Sequence, residues 1–192
     1  NNNGRYHLLM THFQSLNPRN GEVVATHEIY SKDAVNGAVT LAAESFKSWG
    51  HLKPTNRKSV LLRWKREIVS RAEEFAQLIS LETGKPIGDA RLEVSIAISH
   101  LSWAAKRADY YLKPQSRRTG LLLFNFEAEV QRIPFGVIGV IGPWNYPLFT
   151  PMGSIAYALA AGNTVVFKPS EFTPGVGMLL AETFASVSEI PN

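Results

Sequence analysis

The chain is 192 residues long, enough for one domain with a substantial core or for a domain with an extension. Hydrophobic residues make up 45% and charged residues 19%, which excludes disordered, collagen-like and low-complexity classes. Cysteine is absent, so these residues supply no disulfide, thiolate-ligated zinc, iron–sulfur cluster or cysteine nucleophile of their own. The net charge of +4 permits an anionic partner without demanding one. No apolar run approaches the ~20 residues of a spanning helix. The polar start, Asn1-Asn2-Asn3-Gly4-Arg5, lacks the apolar centre of a signal peptide. A cytoplasmic enzyme or binding domain is expected, with no metal site. Asn1 is not a translation start, so residues preceding it are expected to have been lost.

A polar stretch containing Asn17-Pro18-Arg19-Asn20-Gly21 reads as a turn, with extended chain over 22–30. Ser31 and Asp33 offer capping oxygens to a helix over 34–49, which carries Val35, Val39, Ala42, Ala43 and Phe46 at helical spacing and stops at Gly50. Pro54 opens the next helix. Leu61, Trp64, Ile68, Ala72, Phe75 and Ile79 recur every three or four residues and predict one buried stripe over 56–82, ended by Thr83-Gly84-Lys85-Pro86. A third helix is expected over 87–111. Phe124, Phe126, Ala128 and Val130 then alternate with polar residues, as in a half-buried strand with one wet face. Residues 136–142 are apolar at every position, as in a strand buried between helices. A helix over 147–161, a strand over 164–167 and a helix over 173–187 complete a βαβ pattern whose right-handed crossover makes the two strands parallel.

Seven Lys or Arg (Lys53, Arg57, Lys58, Arg63, Lys65, Arg66, Arg71) fall between His51 and Arg71 against one Glu, most of them on the second helix. Such a face could grip phosphates or anionic lipid. The wide apolar stripe behind it and the compensating Glu73, Glu74 and Glu82 favour a solvated face instead, with no nucleic-acid or membrane partner.

Ligands of a parallel α/β sheet bind beyond the carboxyl ends of the strands. Two clusters lie there: Gly142-Pro143-Trp144-Asn145-Tyr146-Pro147 and Lys168-Pro169-Ser170-Glu171. Pro143 and Pro147 fix φ on either side of Asn145, leaving a side-chain amide on a stiff loop near a helix N-terminus, which suits an oxyanion hole. Lys168 and Glu171, three residues apart, can aim a donor and an acceptor at a ribose diol. On spacing alone they read equally well as an ion pair decorating a turn. Gly136, Gly139 and Gly142 form GxxGxxG within a strand, which points to close packing and not to a dinucleotide turn.

The run from Ile141 through Pro147, followed by Gly162-Asn163-Thr164-Val165-Val166-Phe167-Lys168-Pro169-Ser170-Glu171, resembles the N-terminal part of the NAD(P)-dependent aldehyde dehydrogenase superfamily. Residues 17–24, 82–86 and 132–137 resemble that family as well, so the likeness begins near Ser15. The resemblance implies an α/β fold: N-terminal helices within 1–120, the start of an oligomerisation-arm strand in 121–135, and the first two βα units of a Rossmann-like cofactor domain in 136–192, incomplete. It implies that Asn145 donates to the oxyanion of a cysteine thiohemiacetal. Lys168 and Glu171 would hold the adenosine ribose, and Ile141, Pro143, Trp144, Asn145 and Ser170 would line the cofactor cleft. NAD is the expected cofactor, because Glu171 repels a 2′-phosphate, although Lys168 could tolerate NADP. An aldehyde substrate and a homo-oligomeric complete protein are further implications. The family's cysteine, glutamate base and second glycine-rich loop are missing, and the chain ends at Ile190-Pro191-Asn192 where the next strand would begin. The chain alone is therefore expected to be inactive. The alternative from another class is a non-catalytic truncated relative acting by association, or a basic binding module.

Overall fold

A computed structural model describes residues 11–187. The polar start at 1–5 and the ending at 190–192 lie outside the described residues. The chain opens with an antiparallel hairpin, β1 (His12–Leu16) and β2 (Val23–Glu28), with a bulge between Ser15 and Leu16. Its turn is set by Asn17, whose carbonyl accepts from Gly21 N at 2.8 Å while Gly21 takes a φ of 75°. Helix α1 (Lys32–Trp49) starts at Ser31, whose side chain accepts from Ala34 N. Asp33 sits in the first turn and is not the cap. Most of the α1 stripe is exposed, Val35 and Val39 included, and the helix is anchored at its C-terminal end by Trp49, whose indole N–H reaches Leu159 O.

The single stripe expected over 56–82 is two helices, α2 (Pro54–Ser70) and α3 (Ala72–Thr83), broken at Arg71. Arg71 has φ −106° and ψ 19°, and its guanidinium grips Glu74 at 2.7 Å and Glu182 at 3.1 Å. The apolar periodicity survives the break, because both helices bury their stripes against the same 26-residue α4 (Ile87–Leu112). Val60, Leu61, Trp64, Ile68, Phe75, Ile79 and Leu101 form the centre of this core. The basic face of α2 is not wholly solvated. Arg57 is 6% exposed and donates to Ala160 O and Leu52 O, closing the C-terminal end of a later helix.

The expected strand over 124–130 shrinks to β4 (Ala128–Val130), paired antiparallel with β3 (Gln115–Arg117), which the sequence pattern did not suggest. A short 3-10 turn, Leu121–Leu123, precedes it, and Phe124 and Phe126 are exposed rather than half-buried. Alternation alone could not show that no neighbouring strand lies beside residues 124–127.

The last layer is the βαβ unit: β5 (Val137–Ile141), α5 (Phe149–Ala160), β6 (Thr164–Lys168) and α6 (Pro174–Ala185). β5 and β6 pair in parallel, with Ile141 opposite Lys168. Burial on both faces of β5 is not what the structure has: Val140 is buried, while Ile141 is 80% exposed. The glycines also differ from expectation. Gly142 packs closely, since a Cβ there would meet Phe167 at 3.0 Å, whereas Gly139 faces open space and Gly136 is needed for its φ of 117°. No helix among the described residues is long and apolar enough to cross a membrane.

Candidate cofactor cleft and oxyanion site

The parallel register brings both strand ends to one edge. Gly142 N donates to Lys168 O at 2.9 Å, so the loop after β5 and the loop after β6 leave the sheet side by side. Asn145 lies on the first loop, exposed, ahead of the first turn of α5. Pro147 is buried and Pro143 half-buried, so the loop is tied at both shoulders. No hydrogen bond to the described residues occupies the Asn145 side-chain amide, which is left available to an acceptor at the helix N-terminus.

On the second loop, Lys168 Nζ lies 3.3 Å from Glu171 Oε2, with both side chains nearly two-thirds exposed. The Glu171 carboxyl is held below its ordinary value, first by its own backbone N–H and then by the Lys168 ammonium. Ser170 is buried, its hydroxyl accepting from Phe172 N and donating to Glu171 Oε2, so it shapes the turn that presents Glu171. Ile141 and Trp144 are exposed at the same edge. An ammonium donor beside an ionised acceptor is a donor set that fits a vicinal diol. The seven residues expected to bind cofactor thus fall on one sheet edge.

Two residues of this region escaped the sequence reading. Glu93 of α4 is 1% exposed, and its Oε1 accepts from Leu148 N at 2.9 Å and Phe149 N at 3.2 Å, which caps α5 from another helix. Its Oε2 pairs with Lys85 Nζ at 2.5 Å, and Lys85 Nζ also donates to Asn145 O at 2.8 Å. A signal existed: with Ala90, Val94 and Ala97, Glu93 falls inside the apolar stripe of α4, where an acid needs a partner. Together with Asp89, Leu92, Ile96, Tyr146 and Phe149, Lys85 and Glu93 line a cavity of about 380 Å³ that reaches Asn145.

Helices packed beside a parallel strand pair, with polar loops leaving both strand ends at one edge, define the class of an α/β domain whose ligands bind beyond the carboxyl ends of its strands. The chain belongs to the aldehyde dehydrogenase family, whose sequence model matches residues 8–192. It is similar to malonate-semialdehyde dehydrogenase of Halalkalibacterium halodurans, 36% identical over 168 residues, which are 88% of this chain and 34% of that protein. Its fold matches the crystal structure of an aldehyde dehydrogenase from Brucella melitensis biovar abortus 2308 with a TM-score of 0.89 at 28% identity, covering 94% of this chain and 37% of the other. PnpE in complex with nicotinamide adenine dinucleotide, and PnpE from Pseudomonas sp. WBC-3, each match at a TM-score of 0.85 and 33% identity, over 92% of this chain and 36% of theirs. The chain spans about a third of the length of these relatives.

Proposed function

We propose that these residues form the N-terminal part of an NAD-dependent aldehyde dehydrogenase, contributing the oxyanion donor Asn145 and the ribose clamp Lys168–Glu171. The observation that carries this is the β5–β6 register, which sets the two loops side by side at one strand edge. Residues 1–120 and 136–192 belong to the cofactor domain, and residues 121–135, with Leu121, Leu122, Phe124 and Phe135 exposed, begin an arm that pairs with another subunit.

In this reading an aldehyde carbonyl sits against the Asn145 amide. Attack by a thiolate moves negative charge onto the carbonyl oxygen, and the amide N–H stabilises it, a role worth ~2.7–4 kcal/mol at the transition state. The thiolate comes from outside these 192 residues, which hold no cysteine. When bound, the dinucleotide supplies the hydride acceptor. Lys168 and Glu171 orient its adenosine ribose: the ammonium donates, and the carboxylate accepts from the hydroxyls. The carboxylate stays ionised because its pKa is depressed, so the clamp persists into mildly acidic solution.

The test uses the protein expressed from its complete reading frame, with malonate semialdehyde as first substrate because of the relative named above. Glu171→Gln is expected to raise the Kd for NAD⁺ about tenfold with kcat little changed. An unchanged Kd measured by calorimetry would remove the clamp role.

A further inference from the structure

The segment Glu82-Thr83-Gly84-Lys85-Pro86 ends α3, and nothing in the proposed chemistry uses it. Its construction is nonetheless heavily determined. Gly84 caps α3 in the left-handed conformation, with φ 74°. The Arg19 guanidinium crosses from the hairpin turn to donate to Gly84 O at 2.8 and 3.0 Å and to Lys85 O at 2.9 Å. Ser80 Oγ donates to Lys85 O at 2.8 Å, and Lys85 N donates to Thr83 Oγ1 at 3.2 Å. The Lys85 backbone is therefore held from three directions before its side chain is considered.

That side chain reaches 60 residues along the chain. Its ammonium meets Glu93 Oε2 at 2.5 Å and Asn145 O at 2.8 Å, and it lies 4.3 Å from the centroid of the Tyr146 ring. Two acceptors and one ring face surround the ammonium's three N–H donors. Glu93 spends its other oxygen on Leu148 N and Phe149 N. One buried carboxylate thus grips the loop at both ends, directly at 148–149 and through Lys85 at 145. The Asn145 carbonyl is fixed while its side-chain amide is not, so the direction of the amide is inherited from a peptide whose position depends on Lys85.

We infer that Lys85, seated on Glu93, is a positioning residue that aims the Asn145 amide at the developing oxyanion. This rests on the oxyanion reading of Asn145. Lys85 touches neither the reacting atoms nor the dinucleotide in this account. Its effect falls on turnover, because a donor displaced by about 1 Å from the charge it stabilises can cost roughly 100-fold in rate.

The experiment compares Lys85→Met, Lys85→Arg, Lys85→Met/Glu93→Gln and Asn145→Ala in the protein expressed from its complete reading frame, reading kcat, NAD⁺ Kd and thermal midpoint. Lys85→Met leaves the buried Glu93 carboxylate without its ion-pair partner, so it loses stability as well as activity. The double variant removes that charge and recovers most of the thermal midpoint, but still lacks a donor to Asn145 O. The expected result is a kcat at least tenfold below wild type in both Met variants, an NAD⁺ Kd within about twofold, and partial rescue by Lys85→Arg. A double variant with restored stability and restored kcat overturns the inference, since Lys85 would then only neutralise Glu93. If Asn145→Ala turns over as fast as wild type, the oxyanion reading itself falls and takes this inference with it.

Discussion

Glu82 offers a stability experiment that needs no activity. It lies in the last turn of α3, is 3% exposed, and accepts from Gly175 N at 3.0 Å and Val176 N at 3.1 Å. It caps α6 across the core, because Thr173 at the N-cap position makes no capping bond with its own side chain. Removing the carboxylate leaves two amide donors in the first turn of α6 without partners, one of them on the fully buried Val176. Each stranded donor costs ~1–3 kcal/mol, and the relieved burial of the acid offsets part of this. Glu82→Ala is therefore expected to lose about 2–4 kcal/mol, roughly 4–16 °C in thermal midpoint for a chain this size. Urea unfolding of the purified chain, followed by circular dichroism, measures it. The pH dependence adds a sign. Burial raises the Glu82 carboxyl above its ordinary 4.5, outweighing the two amides. The folded protein then holds the proton more tightly than the unfolded chain, so this group favours folding below about pH 4.5. That contribution is lost as pH rises through the raised value. Glu82→Gln, which cannot titrate, is expected to close part of its stability deficit against wild type over that rise. A Glu82→Ala chain within about 0.5 kcal/mol of wild type, or a Gln deficit that widens with pH, would refute the reasoning.

Gly84→Ala forces a side chain into the left-handed region and puts its Cβ 3.0 Å from Pro18 Cγ, so a loss of about 1–3 kcal/mol is expected by the same unfolding assay. Purified residues 1–192, lacking cysteine, are expected to show no NAD⁺ reduction with malonate semialdehyde, followed by absorbance. Turnover by that chain would mean that the nucleophile is not a thiol.

The placement of the two strand-end loops was legible because short, proline-framed clusters at the ends of apolar strands have few structural alternatives. Helices α1 and α4–α6 and the parallel pair followed from period and punctuation, with boundaries displaced by one or two residues. The break at Arg71 was not legible, because a helix can change direction without losing its apolar stripe when both halves pack on one partner. The strand expected at 124–130 failed for the opposite reason: alternation describes a strand only where a neighbour supplies hydrogen bonds, and here only Ala128–Val130 has one. Exposure of Ile141 and the open space over Gly139 likewise reflect a sheet that has two strands among the described residues. Lys85 and Glu93 escaped because their meaning is tertiary. A lysine after a helix-ending glycine reads as solvated until α4 brings a buried acid to it.

The central claim is that Asn145 stabilises charge at the transition state and does not serve chiefly to bind cofactor. Its most direct test is Asn145→Ala in the protein expressed from its complete reading frame, with kcat from steady-state oxidation of a semialdehyde and NAD⁺ affinity from calorimetry. The account expects kcat to fall about 100- to 1,000-fold with the NAD⁺ Kd within about twofold of wild type. An unchanged kcat, or a loss carried wholly by weakened NAD⁺ binding, would contradict it.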